Sequence, residues 1–220
     1  MKREDKSTTN WTKYYEAPKS RFSTITQKIT LKRLLQLIKM YIPNETRFNI
    51  IELGGGNSCF AKGMLAKING REKNYSIVDN NELGIEKAKK QGVPIKCYYC
   101  DILNDKYMCQ ISNDHNIVYS VGLIEHFCEE NIIKIIEAHF KLVNEEGLVI
   151  ITFPTPTVQY RIIRKCMEWL GVWQFWDEKP LKWQDVKTIF EKNGTVLYHK
   201  TNYKLPLTQM IVVAKKKKNK

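Results

Sequence analysis

The stretch from Asn49 to Ser58 constrains this chain more than any other. Asn49-Ile50-Ile51-Glu52-Leu53 has the apolar, β-branched character of a buried strand. It passes through Gly54-Gly55-Gly56-Asn57-Ser58 into Cys59 to Leu65, a composition that suits a helix. Glycines at a strand-to-helix turn let backbone N–H groups approach a ligand where a Cβ would clash. About 25 residues beyond Gly54 a second apolar run, Tyr75-Ser76-Ile77-Val78, ends at Asp79. A carboxylate at that strand end is placed to grip the hydroxyls of a ribose. The opening unit is therefore β-loop-α-β with an acid closing its second strand, a pattern that points to an adenosine-containing cofactor.

Glu52-x-Gly54-x-Gly56 resembles the first motif of class I S-adenosylmethionine-dependent methyltransferases, an acid followed by three alternating glycines. Ser58 stands at the third glycine position. The dinucleotide-binding pattern Gly-x-Gly-x-x-Gly would need a glycine at Cys59 and does not fit. The resemblance continues in order over residues 45 to 214. Asp79, followed by Asn80, matches the acid that binds both ribose hydroxyls. Val93 to Ile102 is similar to the third strand, with Asp101 and Ile102 where the family meets the adenine. Asn116 to Phe127 is similar to the fourth strand and the loop beside the methionine end, and Gly147 to Pro154 to the fifth strand. The resemblance thus implies S-adenosylmethionine as cofactor, S-adenosylhomocysteine as product, and Glu52, Gly54, Gly55, Gly56, Asp79, Asn80, Asp101, Ile102 and Ser120 as cofactor-binding residues. Glu52 is expected to orient the loop or meet the methionine ammonium.

The implied fold is a Rossmann-like α/β domain. Its seven-stranded mixed sheet would be mostly parallel, with an antiparallel pair at the C-terminal end and helices on both faces. Periodicity predicts a helix from Ser23 or Thr24 to about Tyr41, one from Asn80 or Asn81 to Gly92, and one over 129–143 with Ile132, Ile133, Ile136, Phe140 and Leu142 on its buried stripe. Residues 1–44 read as an N-terminal extension with a mobile tip and a covering helix, 45–214 as the methyltransferase domain, and 215–220 as a frayed basic tail. After Pro154 the alternation breaks. Residues 155–182 hold a helix-like piece, Gln159 to Leu170, and read as an inserted lid or substrate element because a structureless loop of that length is unusual. A helix from Gln184 to Lys192 and strands over Thr195–Tyr203 and Leu207–Ala214 complete the reading.

Composition bounds the setting. With 220 residues, 43% hydrophobic and 27% charged, the chain can bury a substantial core as one domain. No apolar run reaches the roughly 18 residues of a membrane span, and no apolar segment follows the charged start as in a secretory signal. Six cysteines in a chain this long do not make a disulfide framework, and Cys97-Tyr98-Tyr99-Cys100 lies on a predicted strand with no second pair. A cytoplasmic protein is expected, with peripheral contact at the inner membrane face left open. No metal site is expected, since His115, His126, His139 and His199 are scattered.

Methyl transfer from a sulfonium needs a placed nucleophile and excluded water. An oxygen nucleophile of high pKa also needs a base, and Glu125-His126, just past the fourth strand, supplies the candidates. A net charge of +13 makes nucleic acid a rival partner. However, the place where base-methylating relatives carry Asn/Asp-Pro-Pro-aromatic reads Tyr119-Ser120-Val121-Gly122. A small-molecule, glycan or lipid-linked acceptor, including a phosphorylated one, is therefore expected. An RNA methyltransferase and a binding protein without turnover are the alternatives. Tyr160, Arg161, Arg164 and Trp176 are candidate acceptor residues, on a basic amphipathic segment that would hold a phosphate or lie on a membrane surface. Trp11, Tyr14 and Tyr15 are candidates to close over the site, with Tyr15 also taken as an acceptor contact.

Overall fold

A computed structural model describes residues 8–18 and 20–217 of the chain. The expected N-terminal tip and the end of the basic tail lie outside the described residues. The elements run α1 (Trp11–Glu16), α2 (Arg21–Tyr41), β1 (Arg47–Leu53), α3 (Ala61–Lys67), β2 (Glu72–Asp79), α4 (Glu82–Lys89), β3 (Lys96–Tyr99) and α5 (Asp105–Met108). They continue with β4 (His115–Val121), a 3-10 turn (Ile124–His126), α6 (Glu129–Leu142), β5 (Val143–Pro154), α7 (Val158–Trp169), α8 (Trp183–Asn193), β6 (Gly194–Asn202) and β7 (Gln209–Lys216).

The strands form one seven-stranded sheet in the order β3-β2-β1-β4-β5-β7-β6. Pairings from β3 through β5 are parallel, whereas β7 runs antiparallel to both β5 and β6. The antiparallel hairpin forms the edge, but its second strand is inserted between β5 and its first. Central strands covered on both faces read as continuous apolar runs, and Ile50, Ile51, Leu53, Ile117, Val118 and Tyr119 are fully buried. One apolar layer packs β1, β4 and β5 against α6 and α8, and the other packs them against α2, α3 and α4. No described helix is long and apolar enough to cross a membrane.

Local chemistry sets most boundaries. Ser20 caps α2 by accepting from the Ser23 amide at 3.0 Å, so the helix starts a little earlier than Ser23 or Thr24 would place it. Asn81 caps α4, and Gly92, at φ +71°, follows its end. In α6 the buried positions are Ile132, Ile135, Ile136, Ala138, His139, Phe140 and Leu142, while Ile133 is 41% exposed. The 3.6-residue repeat carries position 133 off the face that 132 and 136 share, which corrects the expected stripe. The four-residue α5 lies in polar sequence that carries no apolar period. All six cysteines are free.

β1 and β4 are neighbours whose chains continue to opposite sides of the sheet. Beyond their carboxyl ends lies the crevice that such a switch point opens in a parallel sheet.

Candidate active site

A cavity of about 1070 Å³ occupies that crevice. Its floor is the β1–α3 turn. Gly54 has φ +69°, a left-handed conformation that favours glycine, and a Cβ there would meet Leu123 at 2.7 Å. A Cβ on Gly56 would stand 2.7 Å from Asp79 Oδ2. The loop is thus a backbone-lined cradle that side chains would fill, as an adenosine-bearing cofactor requires. Asp79, at the end of β2, accepts from the amides of Gly56 and Asn81, both at 2.7 Å. Burial raises its pKa, and those two amides partly oppose the rise. Asn80, Asp101 and Ile102 line the same cavity, and the Leu103 amide donates to Asp101 at 2.9 Å.

Glu52 and Ser58 behave as a unit. The Ser58 hydroxyl donates to Glu52 and accepts from the Ala61 amide at 3.1 Å, at the start of α3. The Tyr75 hydroxyl donates to the same Glu52 oxygen at 2.6 Å. Burial lifts the Glu52 pKa against these donors. Serine at the third motif position therefore ties the loop to the helix it precedes. Ser120 departs from its expected place. Its hydroxyl lies 3.0 Å from His139 Nε2, whose other nitrogen sits 2.7 Å from the Ile135 carbonyl. Alternation along β4 turns Ser120 toward α6, and it is not among the cavity's lining residues.

The far end of the cavity is built by the turn after β4 and the loop between α7 and α8. His126 Nδ1 stands 2.8 Å from Asp177 Oδ1, and Thr9 donates to the same oxygen. Burial lowers the His126 pKa despite Asp177. Asp177 sits below its ordinary value because the bonds from Thr9 and His126 outweigh its burial. Burial thus favours the neutral ring, and the tautomer that donates from Nδ1 to Asp177 would keep a lone pair on Nε2. Glu125 is 1% exposed and its Oε2 has no hydrogen-bond partner. Its burial, with Glu178 and Asp177 nearby, pushes its pKa well up. Glu178 is pushed up to about 6, chiefly by burial, while Tyr160 and Arg164 work against the shift.

The expected acceptor residues separate. Tyr160 lines the cavity and donates to Glu178. Arg161 is exposed on the outer side of α7. Arg164 braces the loop from behind, donating to the Tyr160 hydroxyl at 3.1 Å and the Glu178 carbonyl at 3.0 Å, with its guanidinium over the Trp173 ring. Neither arginine lines the cavity, and Trp176 does not either. Tyr15 lies at the glycine-turn end, where its hydroxyl donates to Asp79 at 3.4 Å. In the same helix Trp11 packs edge-on against His126, centroids 4.9 Å apart, and Tyr14 meets Phe175 at 5.3 Å. So α1 roofs both ends.

Sequence reasoning did not assign roles to Asp177, Glu178 or Thr9. They lie at least 51 residues from His126 along the chain, and no motif spacing links them. Among the described lining residues there are six carboxylates and neither lysine nor arginine.

No family model and no curated protein sequence matches this chain. Solved structures do. The magnesium protoporphyrin IX methyltransferase of Synechocystis PCC 6803, crystallised with S-adenosylhomocysteine, aligns with TM-score 0.69 and 14% identity over 94% of this chain and 93% of that one. An S-adenosylmethionine-dependent methyltransferase from Anabaena variabilis aligns with TM-score 0.69 and 13% identity, covering 94% and 92%. The N-methyltransferase NodS of Bradyrhizobium japonicum, bound to S-adenosylhomocysteine, gives 0.60 and 11%, covering 90% and 89%. The fold of this chain is the class I methyltransferase fold.

Proposed function

We propose that this chain transfers the methyl group of S-adenosylmethionine to an oxygen of a small, largely apolar acceptor that is neutral or cationic. The observation that carries the reading is a single cavity joining the glycine cradle and Asp79 at one end to the Asp177-held His126 at the other. When bound, the cofactor supplies an electrophilic methyl on a sulfonium. The residues do the rest. The Asp79 carboxylate, set beside the Gly54–Gly56 turn by the Gly56 amide, would hold the ribose end, and Asp101 with Ile102 would take the adenine. Trp11, Tyr14 and Phe175 line the junction with aromatic surface. His126, fixed by Asp177, activates the acceptor oxygen. Orienting the reactants in such a cavity contributes several powers of ten in rate.

The acid-lined cavity argues against a phosphorylated acceptor and against RNA, because among the described lining residues no cation offsets a phosphate. Arg161 and Arg164, expected to supply that charge, stand elsewhere. The reading without turnover loses its motivation, since Ser58 completes the loop. The outer face of α7 exposes Val158, Ile162 and Trp169, the last at 86%, and this supports an acceptor delivered from a lipid surface.

Titration calorimetry with S-adenosylmethionine and S-adenosylhomocysteine tests the reading. Micromolar binding of both, lost in Asp79→Ala, is expected. Absence of binding to the wild-type chain would overturn it.

A further inference from the structure

We propose that Glu125, His126 and Glu178 form a binding site for one divalent transition-metal cation of the manganese or zinc type. One carboxylate oxygen from each acid and one ring nitrogen of His126 lie within 4.8 Å of one another. Two carboxylates and an imidazole are a donor set that such cations accept.

Three further observations point to a cation. The first is Glu125 itself, whose Oε2 lies in the protein interior with no hydrogen-bond donor. A buried, unpartnered carboxylate oxygen is costly, and a metal ion satisfies it. The second is the environment. Asp177 joins Glu125 and Glu178 at this end, and no lysine or arginine is among the described residues lining the cavity. Arg164, outside the lining, donates to the Glu168 carboxylate, the Tyr160 hydroxyl and the Glu178 carbonyl, and its charge offsets that of Glu178 only in part. The third is the support behind His126 and Glu178. Asp177 Oδ1 lies 2.8 Å from His126 Nδ1, and the tautomer that donates there would leave Nε2 for the ion, the carboxylate–histidine arrangement that orients metal-binding imidazoles. Thr9 holds Asp177 in turn, and Tyr160 holds one Glu178 oxygen. The two segments are pinned together without any ion by the Lys179 amide, which donates to the Glu125 carbonyl at 2.9 Å.

The site sits in the acceptor half of the cavity. There the cation takes the acceptor hydroxyl as a further ligand and lowers its pKa, so that its proton passes to water and the oxygen enters methyl transfer with negative charge. His126 then activates the acceptor through the ion. This catalytic use rests on the proposed methyl transfer, whereas binding of the ion does not.

The test uses the untagged full chain, freed of metal with a chelator and titrated with manganese(II) chloride. Free manganese is followed by electron paramagnetic resonance, and S-adenosylhomocysteine is titrated into the same preparations. One ion per chain is expected, with nitrogen couplings in pulsed spectra that vanish in His126→Ala. Affinity should fall more than about 100-fold in Glu178→Gln and in Glu125→Gln, and about 10- to 100-fold in Asp177→Asn. Should Glu125→Gln fail to fold, the Glu178 and Asp177 variants decide. No saturable binding of manganese or zinc, or binding unchanged in Glu178→Gln, overturns the proposal. Saturable S-adenosylhomocysteine binding without metal binding would overturn the cation site and leave the methyltransferase reading standing. Metal binding without cofactor binding would do the reverse.

Discussion

Ser58 occupies the position where the motif has glycine, and its hydroxyl links the buried Glu52 to the first amides of α3. Ser58→Ala should cost about 1–3 kcal/mol, because it strips a donor from a buried carboxylate and an acceptor from a helix start. Thermal or urea unfolding checks this. Gly54→Val should abolish cofactor binding, since φ +69° is strained for any branched side chain and Leu123 already fills the Cβ position. Calorimetry reads that outcome directly. Asp79 adds a pH signature. Burial raises its pKa, so the ionised form that accepts from hydroxyls is lost as pH falls through a value above that of an ordinary aspartate. Affinity for S-adenosylhomocysteine should therefore weaken on acidification sooner than an unperturbed carboxylate would make it, with little change at neutral pH and above.

Among the elements, α1 and α7 have the clearest consequences. The α1 helix has only six residues and owes its place to packing rather than to propensity: Tyr15 lies on Asp79 and Trp11 on His126. The α7 helix turns Tyr160, Ile163 and Met167 to the cavity and leaves Val158, Ile162 and Trp169 outside, beside the exposed Arg161 and Lys165. An amphipathic helix with tryptophan and basic residues outward partitions to anionic interfaces. Co-sedimentation with phosphatidylserine-containing vesicles should be reduced severalfold in Trp169→Ser combined with Ile162→Ser, with S-adenosylhomocysteine affinity unchanged. Equal vesicle binding by wild type and variant would return this face to ordinary solvent exposure.

Across the whole molecule, charge is segregated. The chain carries +13 overall, yet the described walls of its cavity hold acids and no lysine or arginine. Net positive charge governs weak long-range association, and salt screens it over about 8–10 Å. The cavity's own charged groups, such as Asp79 and Glu125, are buried and are screened far less. Raising salt from about 50 to 500 mM, well past that screening length, should therefore weaken vesicle or nucleic-acid adhesion strongly and leave S-adenosylhomocysteine affinity within about twofold. Calorimetry at the two salt concentrations measures the second quantity. A large loss there would place basic residues outside the described set at the site.

Much of the architecture was legible along the chain because its signals are local. Apolar runs such as Ile50–Leu53 and Leu148–Phe153 can be buried only as central strands, glycines at Gly54–Gly56 permit only a tight backbone turn, and Asp79 must fall at a strand end. The order of those signals carried the half of the cavity built on the glycine turn and Asp79. The half proposed for the acceptor is assembled from Thr9, Glu125, His126, Tyr160, Asp177 and Glu178, which come from four separate segments. Nothing local distinguishes Asp177 from any other surface aspartate. Its partnership with His126 exists because β4 and the loop after α7 are brought to the same end of the sheet. In the same way, the strand alternation that turned Ser120 inward and the bracing bonds that drew Arg164 away from the cavity depend on neighbours distant in sequence. Periodicity and turn chemistry act over a few residues, whereas the charge of a cavity and the partner of a buried carboxylate are set by packing.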